Sequence, residues 1–354
     1  MVLYWIFFIV LLSLALFEVL KKNKNISFFT SSLLALLAGF RFYTGYDFTS
    51  YETFFEGAAS FENIVNGNID AESGYLLLNN LFSNLGLNFY TFILFFSVLS
   101  IGLLQFFLYR HVPYPSLVLV YYFARYFLVR DMGQIRSALA CIILLYAIPY
   151  IIKQKPVQFI VVVFIASFFH ITAWFFVLAY VFNFMWKKIT LSTIFTLLTS
   201  SMIIGIIVQV PQLYIWAVPD RYIAYFTNPA YTNGEWIMNP ILWMQVFIFL
   251  GSFICYKPTN IEEKAQFETV LKIYFLASLM LIAAGNLGTV GGRISTLFAT
   301  TEILIVPYFL MNFTRNKVLN LLFYLGFTMV IFCLIFIISG TYNDYVPYMT
   351  IFGF

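Results

Sequence analysis

The chain has 354 residues, of which 62% are hydrophobic, 21% aromatic and only 10% charged, and its formal net charge is +4. Soluble domains carry roughly 25% charged residues, so this composition excludes a soluble globular protein. Apolar runs of roughly 20 residues recur along the chain, and a helix of that length crosses the hydrocarbon core of a bilayer. The composition therefore predicts an all-α polytopic membrane protein.

Hydropathy predicts about twelve transmembrane helices in a single integral membrane domain, residues 1–354. The first run is expected to be a retained helix, because its lysines follow it and do not precede it. Two longer connections, 42–88 and 210–238, separate the helices, and the first should hold a surface helix from Gly74 to Leu87. The predicted helices lie near 2–20, 26–41, 89–109, 114–130, 134–152, 157–169, 172–186, 190–209, 239–256, 267–285, 294–312 and 318–338.

The lysines set the predicted orientation. All of them fall at or near connections on one side of this arrangement, which the positive-inside rule makes cytoplasmic. Both termini and both long connections then lie outside. A single span over 156–186 would place the lysine pairs that flank it on opposite faces, so two short helices turning near His170 are predicted instead. The lysines are Lys21, Lys22, Lys24, Lys153, Lys155, Lys187, Lys188, Lys257, Lys264, Lys272 and Lys317.

Most arginines are expected at or near the opposite, outer face, where positive residues are unusual. A charge inside a span costs at least ~2.5 kcal/mol on insertion scales, so such residues are functional candidates. A side that carries arginines but no lysines indicates bidentate recognition of phosphate or carboxylate, because only the guanidinium group offers a planar pair of donors. In the alternative interpretation, some of them pair with Asp131, Asp220 or Glu235 and hold helices together. The six outer arginines are Arg41, Arg125, Arg130, Arg136, Arg221 and Arg293. Arg293 follows a run of glycines interpreted as a flexible outer loop.

The stretch Gly39–Tyr51, just after the second helix, changes abruptly from apolar to functional residue types. Gly45 permits a turn that a residue with a Cβ resists. Asp47 can accept a proton or hold a sugar hydroxyl, and Tyr46 and Tyr51 suit the membrane interface. The alternative is an interfacial loop with an aromatic belt and a solvated ion pair.

Two further residues are candidates for proton transfer. His170 lies at membrane depth and titrates near neutral pH, although a structural histidine at a helix turn is an equal alternative. Glu72 could serve as a general base, although an outer-loop carboxylate is more often simply solvated. The sequence shows no phosphate-binding glycine loop, zinc spacing, serine triad or nucleic-acid-binding patch.

Three motifs, in order, resemble those of the EpsG/Wzy group of bacterial polysaccharide polymerases. The first is Arg41…Gly45-Tyr46-Asp47…Tyr51, in an aromatic-rich segment after the second helix. The second is Arg-x5-Arg before a small-residue helix, here Arg130 to Arg136 followed by Ser137-Ala138-Leu139-Ala140. The third is Phe169-His170-Ile171-Thr172-Ala173. Together they span the first half of the chain; the second half matches mainly in hydropathy and in Arg293.

The resemblance implies a glycosyltransferase of GT-C-like architecture in the bacterial inner membrane, with its active site facing the periplasm. Such an enzyme transfers an undecaprenyl-diphosphate-linked glycan to the non-reducing end of a lipid-linked repeat unit, as O-antigen and capsule polymerases do. Implied partners are that oligosaccharide, membrane lipid and a chain-length regulator protein, without nucleic acid, cofactor or metal.

The resemblance also assigns roles to the candidate residues. Arg130, Arg136 and Arg293 would bind the diphosphate, and Arg41 would bind the diphosphate or the acceptor. One of Asp47, Glu72 and His170 would position or deprotonate the acceptor. The remaining expected contacts to the diphosphate or glycan are Arg125, Arg221, Tyr46 and Tyr51.

Other functions fit some of the same features. A flippase or transporter of lipid-linked oligosaccharide would also use broken helices and inward-facing arginines. An O-antigen ligase shares the donor chemistry and differs in its acceptor. A polytopic acyltransferase would need a catalytic histidine, for which His170 is the only support.

Overall fold

The computed structural model describes residues 1–232, 234–255 and 261–353, without the side chains of Arg221, Ala230, Ile261 and Glu262. The regular elements of this part are helices, and a single isolated β-bridge joins Arg41 to Thr350. In a bilayer core a helix satisfies all its own backbone hydrogen bonds, which is why these apolar runs are helical. Lys257, one of the lysines used to orient the chain, lies outside the described residues.

A helix or a consecutive group of helices lies at each of the twelve predicted positions. Uninterrupted α-helices are Val2–Lys21, Ile26–Gly39, Phe89–His111, Pro156–Ser167, Leu191–Val208, Pro240–Cys255 and Ile261–Ala284. Composite segments are Pro115–Tyr122 with a π-helix Phe123–Phe127 and Leu128–Asp131; Ile135–Leu145 with Ile148–Ile152; the 3₁₀ helix Ile171–Phe176 with Val177–Met185; Gly288–Ala299 with Glu302–Met311; and Lys317–Phe332 with a π-helix Cys333–Ile338.

Six helices in the described part of the chain are long and apolar enough to cross a membrane alone. They are Val2–Lys21, Phe89–His111, Ile135–Ile152, Leu191–Val208, Glu263–Ala284 and Lys317–Ile338. The pair Gly288–Ala299 and Glu302–Met311, bent by 50°, makes a seventh if it is one span. Four more apolar helices are shorter: Ile26–Gly39, Pro156–Ser167, Ile171–Met185 and Pro240–Cys255. Large apolar side chains on these surfaces face outward, with Leu20 76% and Phe195 73% exposed, as lipid-facing residues do. The chain is a multi-pass membrane protein.

The predicted hairpin over 156–186 is confirmed. The ring of Phe159 lies 5.0 Å from that of Tyr180 and 6.2 Å from that of Phe176. Twenty-one residues of straight helix would separate Phe159 from Tyr180 by about 30 Å, at 1.5 Å per residue. The two short helices therefore fold back on each other around the turn that contains His170.

Contacts divide the chain into two compact units. Unit 1 comprises 1–143, 164–171 and 310–354, and unit 2 comprises 144–163 and 172–309. Aromatic stacking fills much of the core of unit 1, where the Phe8 ring lies 4.5 Å from that of Phe332. In unit 2, Phe249 stacks on Phe275 at 4.3 Å, and the buried Tyr274 donates to Glu302 at 2.7 Å. Hydropathy along the sequence does not predict these specific side-chain contacts.

One lysine lies elsewhere than the sequence indicated. Lys272 is inside the helix Ile261–Ala284, not near a connection, and it is buried. Its ammonium donates to the Lys187 carbonyl at 2.9 Å and lies 3.3 Å from the amide oxygen of Asn183. The long side chain thus reaches the connection that contains Lys187, within unit 2.

The two long connections are largely helical. The first holds Phe48–Gly57, Phe61–Val65 and Ser73–Asn84, and the last of these confirms the predicted surface helix with its end three residues earlier. In the second, the described residues form helices of three or four residues: Pro211–Leu213, Ile215–Ala217, Asp220–Tyr222, Ala224–Thr227, Pro229–Thr232 and Trp236–Met238.

The C-terminal tail packs along the stretch that follows the second helix. Main-chain hydrogen bonds run from Phe42 N to Met349 O at 2.8 Å and from Gly45 N to Asp344 O at 3.0 Å. Tyr348 donates to the Leu37 carbonyl at 2.8 Å. This tail, residues 340–353, forms a wall of the region around Arg41.

Candidate functional site

The first two motifs pack directly on each other in unit 1. Gly45 adopts φ +102°, and a Cβ there would lie 2.2 Å from the Met132 carbonyl oxygen, in the short turn between the two motif arginines. Tyr46 donates to the Val129 carbonyl at 3.1 Å. The absence of a side chain at Gly45 therefore allows the loop to approach the Arg130–Arg136 turn.

Glu72, Arg136 and His170 form a cluster that joins the second and third motifs. Arg136 Nη1 pairs with Glu72 Oε2. The other carboxylate oxygen lies 3.4 Å from His170 Nδ1 and accepts from the Ile171 main-chain N–H at 3.2 Å. Glu72 is the residue before the helix Ser73–Asn84 but makes no capping bond to it, so its carboxylate serves this cluster.

Local packing explains why this helix meets the hairpin turn. The Gly74 N–H donates to the Phe168 carbonyl at 3.0 Å, and a Cβ on Gly74 would lie 2.6 Å from that of Phe168. Only glycine allows the first turn of the helix to approach the chain this closely. The contact sets Glu72 beside His170.

Three aromatic rings surround the Arg136 guanidinium. Its central carbon lies 5.2 Å from the ring centroid of Phe54, 5.7 Å from that of Tyr75 and 5.9 Å from that of Tyr51. Burial raises the pKa of Tyr51 to about 12, and the charge of Arg136 opposes that rise. Phe54 and Tyr75 were missed by the sequence interpretation, because ordinary core packing accounts for aromatic residues at helical spacing equally well.

Arg41 is almost completely buried, with 1% of its surface exposed. Nη1 donates to the Ala38 carbonyl, and the guanidinium lies 5.7 Å from the Phe48 ring. Among the described residues, Nε and Nη2 have no hydrogen-bond partner. Burial lowers the pKa of this guanidinium, and the nearby Tyr345 of the tail opposes that shift. Arg41 thus lies beneath the tail and not at the exposed surface of the loop.

Arg125 and Arg130 share one aromatic partner. Their guanidinium carbons lie 4.7 Å and 3.9 Å from the Tyr126 ring, and both side chains are buried. Arg125 belongs to the π-helix Phe123–Phe127, an irregularity that is frequent at functional sites. The neighbouring Asp131 accepts from Ser100 at 2.8 Å and from Tyr122 at 2.5 Å, so hydroxyl donors satisfy this buried carboxylate.

The remaining candidates are Asp47, Arg221 and Arg293. Asp47 is half-buried at the start of the helix Phe48–Gly57, and its charge contributes to the raised pKa of Tyr51. The side chain of Arg221 lies outside the described residues. Arg293 belongs to unit 2, where it lies 5.8 Å from the Tyr225 ring.

The interpretation of the glycines before Arg293 as a flexible loop was wrong for three of them. Gly288, Gly291 and Gly292 are in the helix Gly288–Ala299, so Arg293 is in its second turn. A Cβ on Gly291 would lie 2.3 Å from the Ala284 carbonyl oxygen. Gly291 therefore serves close packing of this helix on the end of the preceding one.

Comparison with protein families gives a match to the EpsG family over residues 24–350, which is nearly the whole chain. This chain belongs to the EpsG family. The family is that of the Wzy-type polysaccharide polymerases, so the resemblance that the motifs indicated is confirmed. No curated protein and no solved structure matches the chain. All three EpsG-like motifs and the tail up to Thr350 lie within the matched residues.

Proposed function

We propose that this protein is an O-antigen or capsular polysaccharide polymerase. It transfers an undecaprenyl-diphosphate-linked glycan to the non-reducing end of a lipid-linked repeat unit, on the periplasmic face of the bacterial inner membrane. The observation that carries the proposal is the cluster of Glu72, Arg136 and His170, which brings an anion-binding group and two proton acceptors together in a chain of the EpsG family.

The cluster supports each part of the transfer reaction. An acceptor hydroxyl oxygen bonds to the anomeric carbon of the donor glycan as the bond from that carbon to the diphosphate oxygen breaks. The electron pair leaves with undecaprenyl diphosphate, whose charge Arg136 stabilises together with other outer arginines. The hydroxyl proton passes to a base, for which His170 is the best placed, since Glu72 already holds Arg136. Arginines replace a metal as the positive charge in this proposal.

An aromatic ring beside Arg136 supplies a surface for the sugar. Of the three rings within 6 Å of the guanidinium, Tyr51 and Tyr75 are buried and Phe54 is partly exposed, so Phe54 is the proposed stacking surface. Membrane lipid surrounds the helices, and a chain-length regulator is the proposed protein partner.

The proposal includes twelve membrane spans in a GT-C-like arrangement, with both termini in the periplasm. The four shorter apolar helices and the composite segment 115–131 would then cross together with the longer ones. Reporter fusions after Lys22, Lys188 and Phe354 check this topology. We expect a cytoplasmic reporter to be active after the two lysines and inactive after Phe354. Cytoplasmic activity after Phe354 would contradict the twelve-span arrangement.

The experiment that tests the function is gel analysis of surface polysaccharide from a strain that lacks this gene. The control is the same strain complemented with the wild-type gene. We expect a core carrying one repeat unit and no ladder, because export and ligation continue while polymerisation stops. Bare core would favour the flippase or the ligase, and accumulated lipid-linked polymer would then identify the ligase. An unchanged ladder would contradict all three.

A further inference from the structure

Glu72 is shared by two groups that the proposed reaction needs at different moments. Oε2 pairs with Arg136, while Oε1 lies near His170 Nδ1 and binds the Ile171 N–H. The side chains of Arg136, Glu72 and His170 keep 23%, 16% and 13% of their surfaces exposed. A ligand can therefore reach the cluster without the protein unfolding.

A carboxylate and a phosphate bind a guanidinium through the same kind of hydrogen bonds. Both present oxygen acceptors to the planar N–H donors, and phosphate carries the greater charge. Glu72 thus occupies a position on Arg136 that a phosphate oxygen would take. Three aromatic rings restrict the other approaches to this guanidinium, so an incoming anion competes with the carboxylate.

We propose that Glu72 is an internal substitute for the donor diphosphate, and that its displacement from Arg136 couples donor binding to activation of His170. This inference rests on the proposed polymerase function. When the diphosphate binds Arg136, the Glu72 carboxylate loses its cationic partner and keeps its contacts with His170 and the Ile171 N–H. A carboxylate freed in this way stabilises the imidazolium that forms when His170 accepts a proton.

The proposal assigns different roles to the two imidazole nitrogens. Nδ1 lies 3.4 Å from Glu72 Oε1, and a hydrogen on Nδ1 would leave the lone pair of the neutral ring on Nε2. The proton of the acceptor hydroxyl then moves to Nε2, and Glu72 balances the positive ring. Glu72 is therefore a positioning residue, and His170 is the base. Before the donor binds, Arg136 and His170 share the carboxylate.

The test is equilibrium binding of undecaprenyl diphosphate to the purified full-length protein in lipid nanodiscs, combined with turnover on lipid-linked repeat units. Glu72→Gln keeps the shape and the acceptor for the Ile171 N–H but removes the competing charge. If Arg136 is free of Glu72 about a tenth of the time, the variant should bind the diphosphate about tenfold more tightly. Its turnover should fall at least about 100-fold, because His170 loses its counter-charge.

Two further variants show how the effect arises. Glu72→Asp keeps the charge and should not bind more tightly, and Glu72→Gln combined with Arg136→Gln should lose the gain. Glu72→Ala replaces Glu72→Gln if the latter does not fold, and the same tighter binding is expected. If the wild-type protein binds and polymerises but neither Glu72→Gln nor Glu72→Ala binds more tightly, the coupling is overturned and the proposed polymerase function is not. A wild-type protein that binds no undecaprenyl diphosphate would overturn the proposed function itself.

Discussion

Replacing Arg136 by alanine should abolish polymer formation. Arg136 is the cation of the half-buried cluster and the proposed contact of the leaving diphosphate. Removing one donor that stabilises a developing anion typically reduces turnover by about 100- to 1,000-fold. The loss would appear as a missing ladder on a polysaccharide gel and as reduced elongation by the purified protein. Arg136→Lys should recover part of the activity, because it keeps the charge but not the planar pair of donors.

The matched control is another cation that pairs with an acid. Lys264 lies 4.0 Å from Glu268 one helical turn away, and both side chains are largely exposed. Exposed pairs of this kind contribute little to stability, so Lys264→Ala should leave both the ladder and the melting temperature unchanged. A full-length ladder from Arg136→Ala at the normal protein level would contradict the assigned role.

Replacing Gly45 by alanine should separate the loop of the first motif from the turn of the second. The position has φ +102°, and the added Cβ would lie 2.2 Å from a main-chain oxygen that cannot rotate away. Backbone strain and overpacking together should cost ~2–4 kcal/mol of the free energy of unfolding. Thermal unfolding of the purified protein measures the loss, and polymer length should fall with it because Tyr46 and Asp47 shift.

Gly67 offers a control that separates the two contributions. It also has a positive φ, +68°, but a Cβ there would meet nothing within 4 Å. Gly67→Ala should therefore cost only the backbone term, about 1 kcal/mol, and leave polymer length unchanged. Equal losses of stability in the Gly45 and Gly67 variants would show that the contact with Met132 is unimportant.

The helix positions could be predicted from the sequence because the bilayer leaves few choices. An apolar run in lipid must satisfy its own backbone, so its hydropathy locates a helix to within a few residues. The turn at His170 also followed from the sequence, since lysine pairs on both sides of 156–186 demanded a return to the same face. The helical state of Gly288, Gly291 and Gly292 did not follow, because glycine signals both loops and close helix packing.

The sequence by itself determined that this chain is a multi-pass membrane protein and, through three ordered motifs, that it resembles the EpsG family. It also supplied the residue types of the site, because arginine without lysine on the predicted outer side is rare enough to notice. Only the tertiary structure decided that Glu72 joins Arg136, 64 positions away, to His170, and that the tail covers Arg41. Such contacts join residues that are far apart in the sequence, and they depend on how helices and loops pack together. Local hydropathy and residue types do not specify that packing.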